Sequence, residues 1–141
     1  MFFIGIAGGI KDVQIGDVVV APKVYGYESG AAKEEFLTRP DVTLSSYILE
    51  QKARSEARKD DWIKRIKQIK LNRPPQVFVG PIAAGEKVLK STQSSVYEFL
   101  RSHYNDTLAV DMEGHGFLKA ARANEVNAVV IRGISDLFDR Q

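Results

Sequence analysis

Hydrophobic residues along the chain fall into short runs that are separated by glycine, proline and charged residues. Five of these runs predict β-strands, at residues 2–6, 18–21, 77–83, 108–110 and 128–131. The first run contains no polar side chain, which is typical of an interior strand that is covered on both faces. The Gly80-Pro81 pair inside the third run predicts a bend, because proline cannot donate to a sheet ladder.

Apolar residues at helical spacing predict helices between the strands. Two helices or one bent helix are expected over residues 43–69, with Thr43 or Ser45 as the candidate cap. Their apolar positions are Leu44, Tyr47, Ile48, Trp62, Ile63, Ile66 and Ile69. Further helices are predicted around Val96, Phe99 and Leu100 and over residues 116–123. Residues 25–40 are rich in Gly, Glu and Lys and are predicted to form a loop.

The alternation of strands and helices predicts an α/β fold. The latter half of the chain follows the order β-α-β-α-β, which is typical of a sheet with helices on both faces. We therefore predict one domain over residues 1–141, with three layers (α/β/α) and a mixed, mostly parallel central sheet. In such sheets, ligands bind at the carboxyl ends of the strands.

The composition is that of an ordinary globular protein. Of the 141 residues, 44% are hydrophobic and 27% are charged, and the net charge of +2 does not predict a nucleic-acid partner. Residues 50–73 carry nine Lys or Arg against four Asp or Glu, at helical intervals that indicate a solvated helix face. The absence of Cys excludes disulfides and thiolate metal sites, and a cytoplasmic location is expected. The apolar start is far shorter than the ~20 residues that span a membrane.

Three segments combine glycine with ionisable residues directly after predicted strands. They are Gly5-Ile6-Ala7-Gly8-Gly9, Asp111-Met112-Glu113-Gly114 and Arg132-Gly133-Ile134-Ser135-Asp136. We expect them to converge on one cleft. The first segment does not form a G-x-G-x-x-G fingerprint, and the Gly16-Asp17 turn leads into a strand where a dinucleotide-binding fold requires a helix. This excludes a nicotinamide-cofactor site.

Two ionisable residues at these strand ends, taken singly, have two interpretations each. Asp136 is equally well suited to donate a proton from a buried position at the sheet edge or to cap a following helix. Arg132 is suited to contact an anion or a water molecule, or to form an ion pair at a strand end. A third residue, His115, has no second His or Cys near it, which favours a helix-face residue over a metal ligand.

The order of the segments narrows these alternatives. Together they resemble the nucleoside phosphorylase and nucleosidase superfamily, and most closely its methylthioadenosine/S-adenosylhomocysteine nucleosidase branch. The resemblance runs from about Gly5 to Asp139. The matching segments are Gly5–Gly9, Gly16-Asp17-Val18-Val19, Gly80-Pro81-Ile82-Ala83-Ala84-Gly85, Asp111–Gly114 and Val130–Asp136.

The resemblance implies a role for the polar residues of these motifs. Asp136 matches the acid that protonates purine N7, and Ser135 matches the residue that orients this acid. Glu113 matches the carboxylate that binds the ribose 2′- and 3′-hydroxyls, and Met112 matches the residue that packs against the sugar. These residue types suit the chemistry, because cleavage develops positive charge on the ribose and negative charge on the base.

The resemblance also implies which residues border the base and the nucleophile. Ala7, Gly8, Val88 and Leu89 match residues that border the base. Arg132 matches a residue near the attacking water or phosphate. No metal and no organic cofactor is implied.

The implied function is cleavage of the N-glycosidic bond of a purine nucleoside or nucleotide, by hydrolysis or by phosphorolysis, and we favour hydrolysis. The alternative is a non-catalytic nucleoside or nucleotide sensor within a larger signalling or defence protein. Ile6 and Val88 favour this alternative, because they stand where relatives carry a hydroxyl and an aromatic ring. The expected partners are the small-molecule substrate, phosphate in the case of phosphorolysis, and further copies or fused domains of the chain, but neither a membrane nor a nucleic acid.

The resemblance also predicts a partial domain that is truncated at both ends. The family's N-terminal strand and loop, which supply the water-activating acid or the phosphate-binding groups, have no match here. The helix after the catalytic acid is likewise unmatched beyond Gln141. At the position of Asp111, relatives carry an acid with a longer side chain. By itself the chain is therefore expected to be weakly active or inactive.

Overall fold

The computed structural model describes residues 1–26, 41–59, 61–66, 73–85, 98 and 100–138. Within these ranges eight strands form one mixed sheet in the order β4-β3-β6-β7-β1-β8-β2-β5. Of the seven neighbouring pairs, four are parallel and three are antiparallel. The strands are β1 (Phe2–Gly9), β2 (Val18–Ala21), β3 (Lys23–Gly26), β4 (Asp41–Leu44), β5 (Val77–Val79), β6 (Ile82–Ala84), β7 (Ala109–Asp111) and β8 (Val129–Leu137).

Helices cover both faces of this sheet. Successive strand residues point to opposite faces, and Ile82 packs with Leu118 in one apolar cluster whereas Ala83 packs with Leu100 in another. The predicted α/β/α fold with a mixed, mostly parallel sheet is confirmed. The helices are α1 (Tyr47–Ala57), α2 (Asp61–Lys64) and α3 (Gly114–Ala123), and residues 98 and 100–103 are also helical. None of the helices in the described ranges has the length and apolar character required to cross a membrane.

The segment before α1 differs from the sequence prediction. Leu44 belongs to β4, and the first helix begins only at Tyr47, so that neither Thr43 nor Ser45 is its cap. Both hydroxyls have tertiary partners instead: Thr43 Oγ1 lies 2.7 Å from His115 Nδ1, and Ser45 Oγ donates to the carbonyl oxygen of Ala21. These contacts anchor β4 to its neighbours and delay the start of the helix.

The loop predicted at residues 25–40 begins later than expected. Tyr25 and Gly26 belong to β3, which pairs in parallel with β6 and antiparallel with β4. Residues 27–40 lie outside the described residues. The Tyr25 ring packs against Tyr104, with their centroids 4.9 Å apart, and this tertiary contact is not visible in the local composition.

The first strand is covered on one face only among the described residues. Ile4 and Ile6 are each 71% exposed, whereas Ala7 is buried and Phe3 stacks on Phe117 of α3 with ring centroids 4.4 Å apart. The prediction of a strand covered on both faces is therefore wrong here. An unbroken apolar run does not report which of its two faces meets a helix.

The predicted bend at Gly80-Pro81 is confirmed, and it separates two strands that have different neighbours. It divides the apolar run into β5 and β6. The first of these pairs with β2 at one edge of the sheet, and the second pairs with β3 and β7 near the other edge. Proline at this position ends one set of ladder hydrogen bonds and lets the chain cross to a different pair of neighbours.

Backbone geometry requires glycine at position 16, which has a positive φ among the described residues. Its φ is 96°, and its N–H donates to the carbonyl oxygen of Ile134 at 2.9 Å. We expect Gly16→Ala to lower the free energy of unfolding by about 1–2 kcal/mol, because a Cβ is strained in this region. The matched control is Gly116→Ala, where an added Cβ meets no atom within 4 Å. In that helix the change should stabilise by about 0.5–1 kcal/mol, and urea unfolding of both variants measures the contrast.

Candidate active site

One cleft of about 490 Å³ brings together the three glycine-containing segments. Its described walls are residues 3–8 of β1, residues 110–113 at the end of β7, and Arg132, Ser135, Asp136 and Phe138. The predicted convergence of the three segments is confirmed, because residues of all three line the same space. Phe138 was not identified from the sequence, because an apolar residue two positions after an acid carries no signal of its own.

The segments meet in a different way from the one predicted. The strands β1 and β8 run parallel, so their carboxyl ends lie side by side. In contrast, β7 runs antiparallel to β1, with Gly8 opposite Val110 and Gly9 opposite Ala109. β7 therefore begins beside the carboxyl end of β1 and runs toward the amino end of β1. Asp111 and the residues after it reach the cleft from this direction.

A β-bulge lies at the centre of the cleft wall. Ala7 pairs with Ile134 but Gly8 pairs with Asp136, so that Ser135 is an extra residue in β8. Successive strand residues normally point to opposite faces, and a bulge changes this direction. Ser135 and Asp136 both line the cleft, and Ser135 Oγ donates to Asp136 Oδ1 at 2.7 Å.

The position of Asp136 in β8 excludes one of its two interpretations. Because β8 continues to Leu137, Asp136 is a strand residue, and the helix-cap interpretation is wrong. Its side chain is exposed among the described residues, so the burial that was expected for it is also not found. The carboxyl group is accessible to a ligand that enters the cleft.

The bend between β7 and α3 presents Met112 and Glu113 to the cleft. Glu113 occupies the N-cap position of α3 but makes no side-chain capping hydrogen bond. Asp111 takes over this task, since its Oδ1 accepts a hydrogen bond from the Gly114 N–H at 3.2 Å. The Glu113 carboxylate is therefore left exposed at the cleft, where it can accept hydrogen bonds from hydroxyl groups.

Arg132 forms a buried ion pair beneath the cleft. Its Nε donates to Asp111 Oδ2 at 2.7 Å, and the two side chains are 5% and 3% exposed. The guanidinium carbon lies 4.1 Å from the centroid of the Phe3 ring. The guanidinium also lies against Gly5, where any Cβ would overlap Nη1, so that this glycine is required by a close approach. The ion-pair interpretation of Arg132 is confirmed, and the residue still contributes to the cleft wall.

The residues predicted to border the base are only partly described. Ala7 and Gly8 are buried and line the cleft. Val88, Leu89 and the matching Asp139 lie outside the described residues. His115, which was predicted to lie on a helix face, is in α3 and contacts Thr43.

Comparisons of the sequence give a consistent result. The sequence profile of the phosphorylase superfamily matches residues 1–141. ATP nucleosidase Cap17 of Escherichia coli (strain KTE188) is 29% identical over 160 residues, which cover 99% of this chain and 31% of that protein. The 5′-methylthioadenosine/S-adenosylhomocysteine nucleosidase of Desulfotalea psychrophila is 26% identical over 136 residues, which cover 94% of this chain and 53% of that protein. The chain thus spans 31% to 53% of the length of these relatives.

Solved structures share the fold. A futalosine hydrolase mutant of Helicobacter pylori strain 26695 superposes with a TM-score of 0.73 at 24% identity, covering 98% of this chain and 57% of that one. A Helicobacter pylori MTAN mutant with 5′-methylthioadenosine in the active site gives 0.74 at 23% identity, covering 99% and 56%. The match of the family profile over the full length, together with this shared fold, shows that the chain belongs to the phosphorylase superfamily.

Proposed function

We propose that this domain cleaves the N-glycosidic bond of a purine nucleoside or nucleotide, with water as the acceptor. The observation that carries the proposal is the placement of two carboxyl groups in one cleft: Asp136 with its Ser135 partner on β8, and Glu113 at the start of α3. The cleft volume of about 490 Å³ lies within the range of small-molecule sites. The nucleosidase names of the relatives support the same chemistry.

The two carboxyl groups have separate roles in this proposal. Asp136 donates its proton to N7 of the purine while the bond between C1′ and N9 breaks and the bonding electrons move into the base. The Ser135 hydroxyl holds the Asp136 carboxyl in position. Glu113 accepts hydrogen bonds from the ribose hydroxyls, and its negative charge stabilises the ribose cation. Water then adds to C1′ of the ribose cation and releases one proton to the solvent, and the Asp136 carboxylate takes up one proton again, as in glycoside hydrolysis without a covalent intermediate.

The remaining contacts follow from the cleft walls. Met112 is 38% exposed and offers an apolar surface to the sugar. Ala7 and Gly8, together with Val88 and Leu89, border the base in this proposal. Arg132 contacts the attacking water through the part of its guanidinium that is not bonded to Asp111.

The charges of the cleft favour hydrolysis over phosphorolysis. With Asp136 protonated for its role as donor, the described walls keep two charged acids, Asp111 and Glu113, against one cation, Arg132, and Arg132 is already paired with Asp111, so that the charge of Glu113 is not balanced. A phosphate anion is repelled by such a surplus of negative charge, whereas water is not. The same balance favours an uncharged 5′ substituent on the nucleoside.

A sensor that binds the nucleoside without cleaving it is the second candidate. Ile6 favours it, because this side chain is 71% exposed at the cleft and offers no hydroxyl to a nucleophile. In either case we propose a cytoplasmic protein that acts without a metal or an organic cofactor. We also propose that it works as a homo-oligomer or within a larger multidomain chain.

Base release from a panel of nucleosides tests the proposal. The protein is kept in excess over adenosine, 5′-methylthioadenosine or ATP, so that a slow enzyme is still detected, and each reaction is run with and without phosphate. We expect free adenine and a sugar without phosphate at C1′, formed equally well without phosphate, and faster from the uncharged substrates. Calorimetry is run in parallel. Saturable binding without adenine release would select the sensor, and the absence of both would contradict the proposed function.

A further inference from the structure

Asp17, at the turn before β2, carries a fully bonded carboxylate that the proposed chemistry does not use. Its side chain is 1% exposed. Oδ1 accepts hydrogen bonds from Arg73 Nη1 at 2.8 Å and from the Gln76 N–H at 3.0 Å. Oδ2 accepts them from Arg73 Nη2 at 2.6 Å and from the Gln14 N–H at 2.8 Å. A bidentate arginine–carboxylate pair is strong and fixes geometry, so residues 14–17 and 73–76 are held together at this point.

The ion pair persists at neutral pH. Burial raises the pKa of Asp17, but the hydrogen bonds from Arg73, Gln14 and Gln76 outweigh burial and hold this pKa below its ordinary value of 3.8. The carboxylate is therefore charged under any assay condition near neutrality. Hydrogen bonds of the Gly16 and Asp17 backbone link this ion pair to Ile134, next to the cleft.

The turn that contains Asp17 holds the residue that precedes the bulge. The Gly16 N–H donates to the carbonyl oxygen of Ile134 at 2.9 Å, and the Ile134 N–H donates to the carbonyl oxygen of Asp17 at 2.8 Å. Both backbone polar groups of Ile134 are thus bonded to this turn. Ser135, the extra residue of the bulge, follows immediately.

A second anchor lies on the other side of the bulge. The Phe138 N–H donates to the carbonyl oxygen of Gly9 at 2.8 Å. Ser135 and Asp136 lie between Ile134, which the turn holds, and Phe138, which β1 holds, and within this stretch Asp136 pairs with Gly8 of β1 whereas Ser135 has no pairing partner there. If the bonds between Ile134 and the turn weaken, the bulge can shift along β8 while the bond from Phe138 to Gly9 stays in place. A displacement of about 1 Å of a catalytic group can cost about 100-fold in rate.

We propose that Asp17 and Arg73 form a positioning clamp for Ser135 and Asp136. The pair acts through the Gly16 and Asp17 backbone on Ile134, and it thereby sets where the bulge lies and where the Asp136 carboxyl points. Neither residue contacts the substrate. The inference rests on the proposed function for its kinetic consequence, but the clamp itself is a statement about the backbone that does not depend on turnover.

Arginine variants separate positioning from general stability. Arg73→Met removes both hydrogen bonds of the clamp, and Arg73→Lys keeps the charge without the bidentate geometry. The matched control is Arg54→Met, which removes the ion pair to Glu50 on α1, with N and O atoms 2.8 Å apart. We expect Arg73→Met to lower kcat for base release about 10- to 100-fold with KM changed less than about threefold, Arg73→Lys to be intermediate, and Arg54→Met to stay within about twofold.

Amide hydrogen exchange measured by NMR tests the clamp without turnover. In Arg73→Met we expect faster exchange of the Gly16 and Ile134 amides and a shifted Asp136 carboxyl signal, with neither change in Arg54→Met. Unchanged exchange at Ile134 in both Arg73 variants would overturn the proposal. So would an equal loss of stability and of kcat in Arg73→Met and Arg54→Met, because that pattern marks a structural role only. If the unsubstituted chain releases no base, the proposed function fails while the exchange result still decides the clamp.

Discussion

Replacing Asp136 with Asn is expected to lower the rate of base release by about 10²- to 10⁴-fold, the range in which a positioned proton donor contributes. The amide has nearly the same shape as the carboxyl and can still interact with the Ser135 hydroxyl, which now bonds to Asp136 Oδ1 at 2.7 Å. It cannot, however, deliver a proton to N7 of the leaving purine. The loss should therefore appear in kcat, with substrate affinity by calorimetry almost unchanged.

Two further variants make this result specific. Asp12→Asn is the matched control, because Asp12 is exposed, lies outside the described cleft walls and has a φ of 65° that Asn also adopts. Its base release should equal that of the unsubstituted chain. Ser135→Ala should lower the rate of base release less than Asp136→Asn, because it removes the hydrogen bond that positions the acid but keeps the acid itself. Equal rates for Asp136→Asn and Asp12→Asn would rule out Asp136 as the proton donor.

Replacing Arg132 with Leu is expected to lower the free energy of unfolding by about 3–5 kcal/mol, because it leaves Asp111 buried without its partner. The Asp111 side chain is only 3% exposed, so water cannot replace the lost hydrogen bond from Nε. The Phe3 ring also loses the guanidinium that lies 4.1 Å from its centroid. Chemical denaturation measures the change.

Comparison variants identify burial as the cause. Lys59→Leu breaks a surface ion pair to Glu56 at the end of α1, with N and O atoms 3.0 Å apart and side chains that are 55% and 65% exposed. Pairs of this kind contribute about 0.3–0.5 kcal/mol. The double variant Asp111→Leu with Arg132→Leu should recover much of the stability, less about 1 kcal/mol for the lost bond to the Gly114 N–H. A loss of stability in Arg132→Leu no larger than that in Lys59→Leu would show that the Asp111 carboxylate is not left buried without a partner.

Hydrophobic patterning predicted most of the strands, and its errors have a common cause. The strand β2 was predicted with its observed bounds, Val18–Ala21, and the bend at Gly80-Pro81 was also anticipated. The start of α1 was misplaced because Thr43 and Ser45 bond to His115 and Ala21, far away in sequence. Local propensity is overridden where a polar side chain finds a tertiary partner.

The arrangement of the cleft was not predicted, although several residues named from the motifs line it and Val88 and Leu89 lie outside the described residues. The motif order brought forward Glu113, Ser135 and Asp136, and these residues do lie around one cleft. The direction of β7 and the extra residue in β8 could not be anticipated, because strand direction and register depend on pairing between segments that are distant in the chain. Phe138 entered the cleft wall for the same reason.

Periodicity, turn residues and motif spacing are local properties, so the sequence alone was sufficient to predict six of the eight described strands, with β5 and β6 as one bent run, and the chemical groups at the strand ends. Tertiary structure alone decided that Arg132 pairs with Asp111 beneath the cleft and that Arg73, 56 residues after Asp17, holds the turn next to the bulge. These contacts form because buried charges require partners, and only the folded chain determines which partner lies within reach.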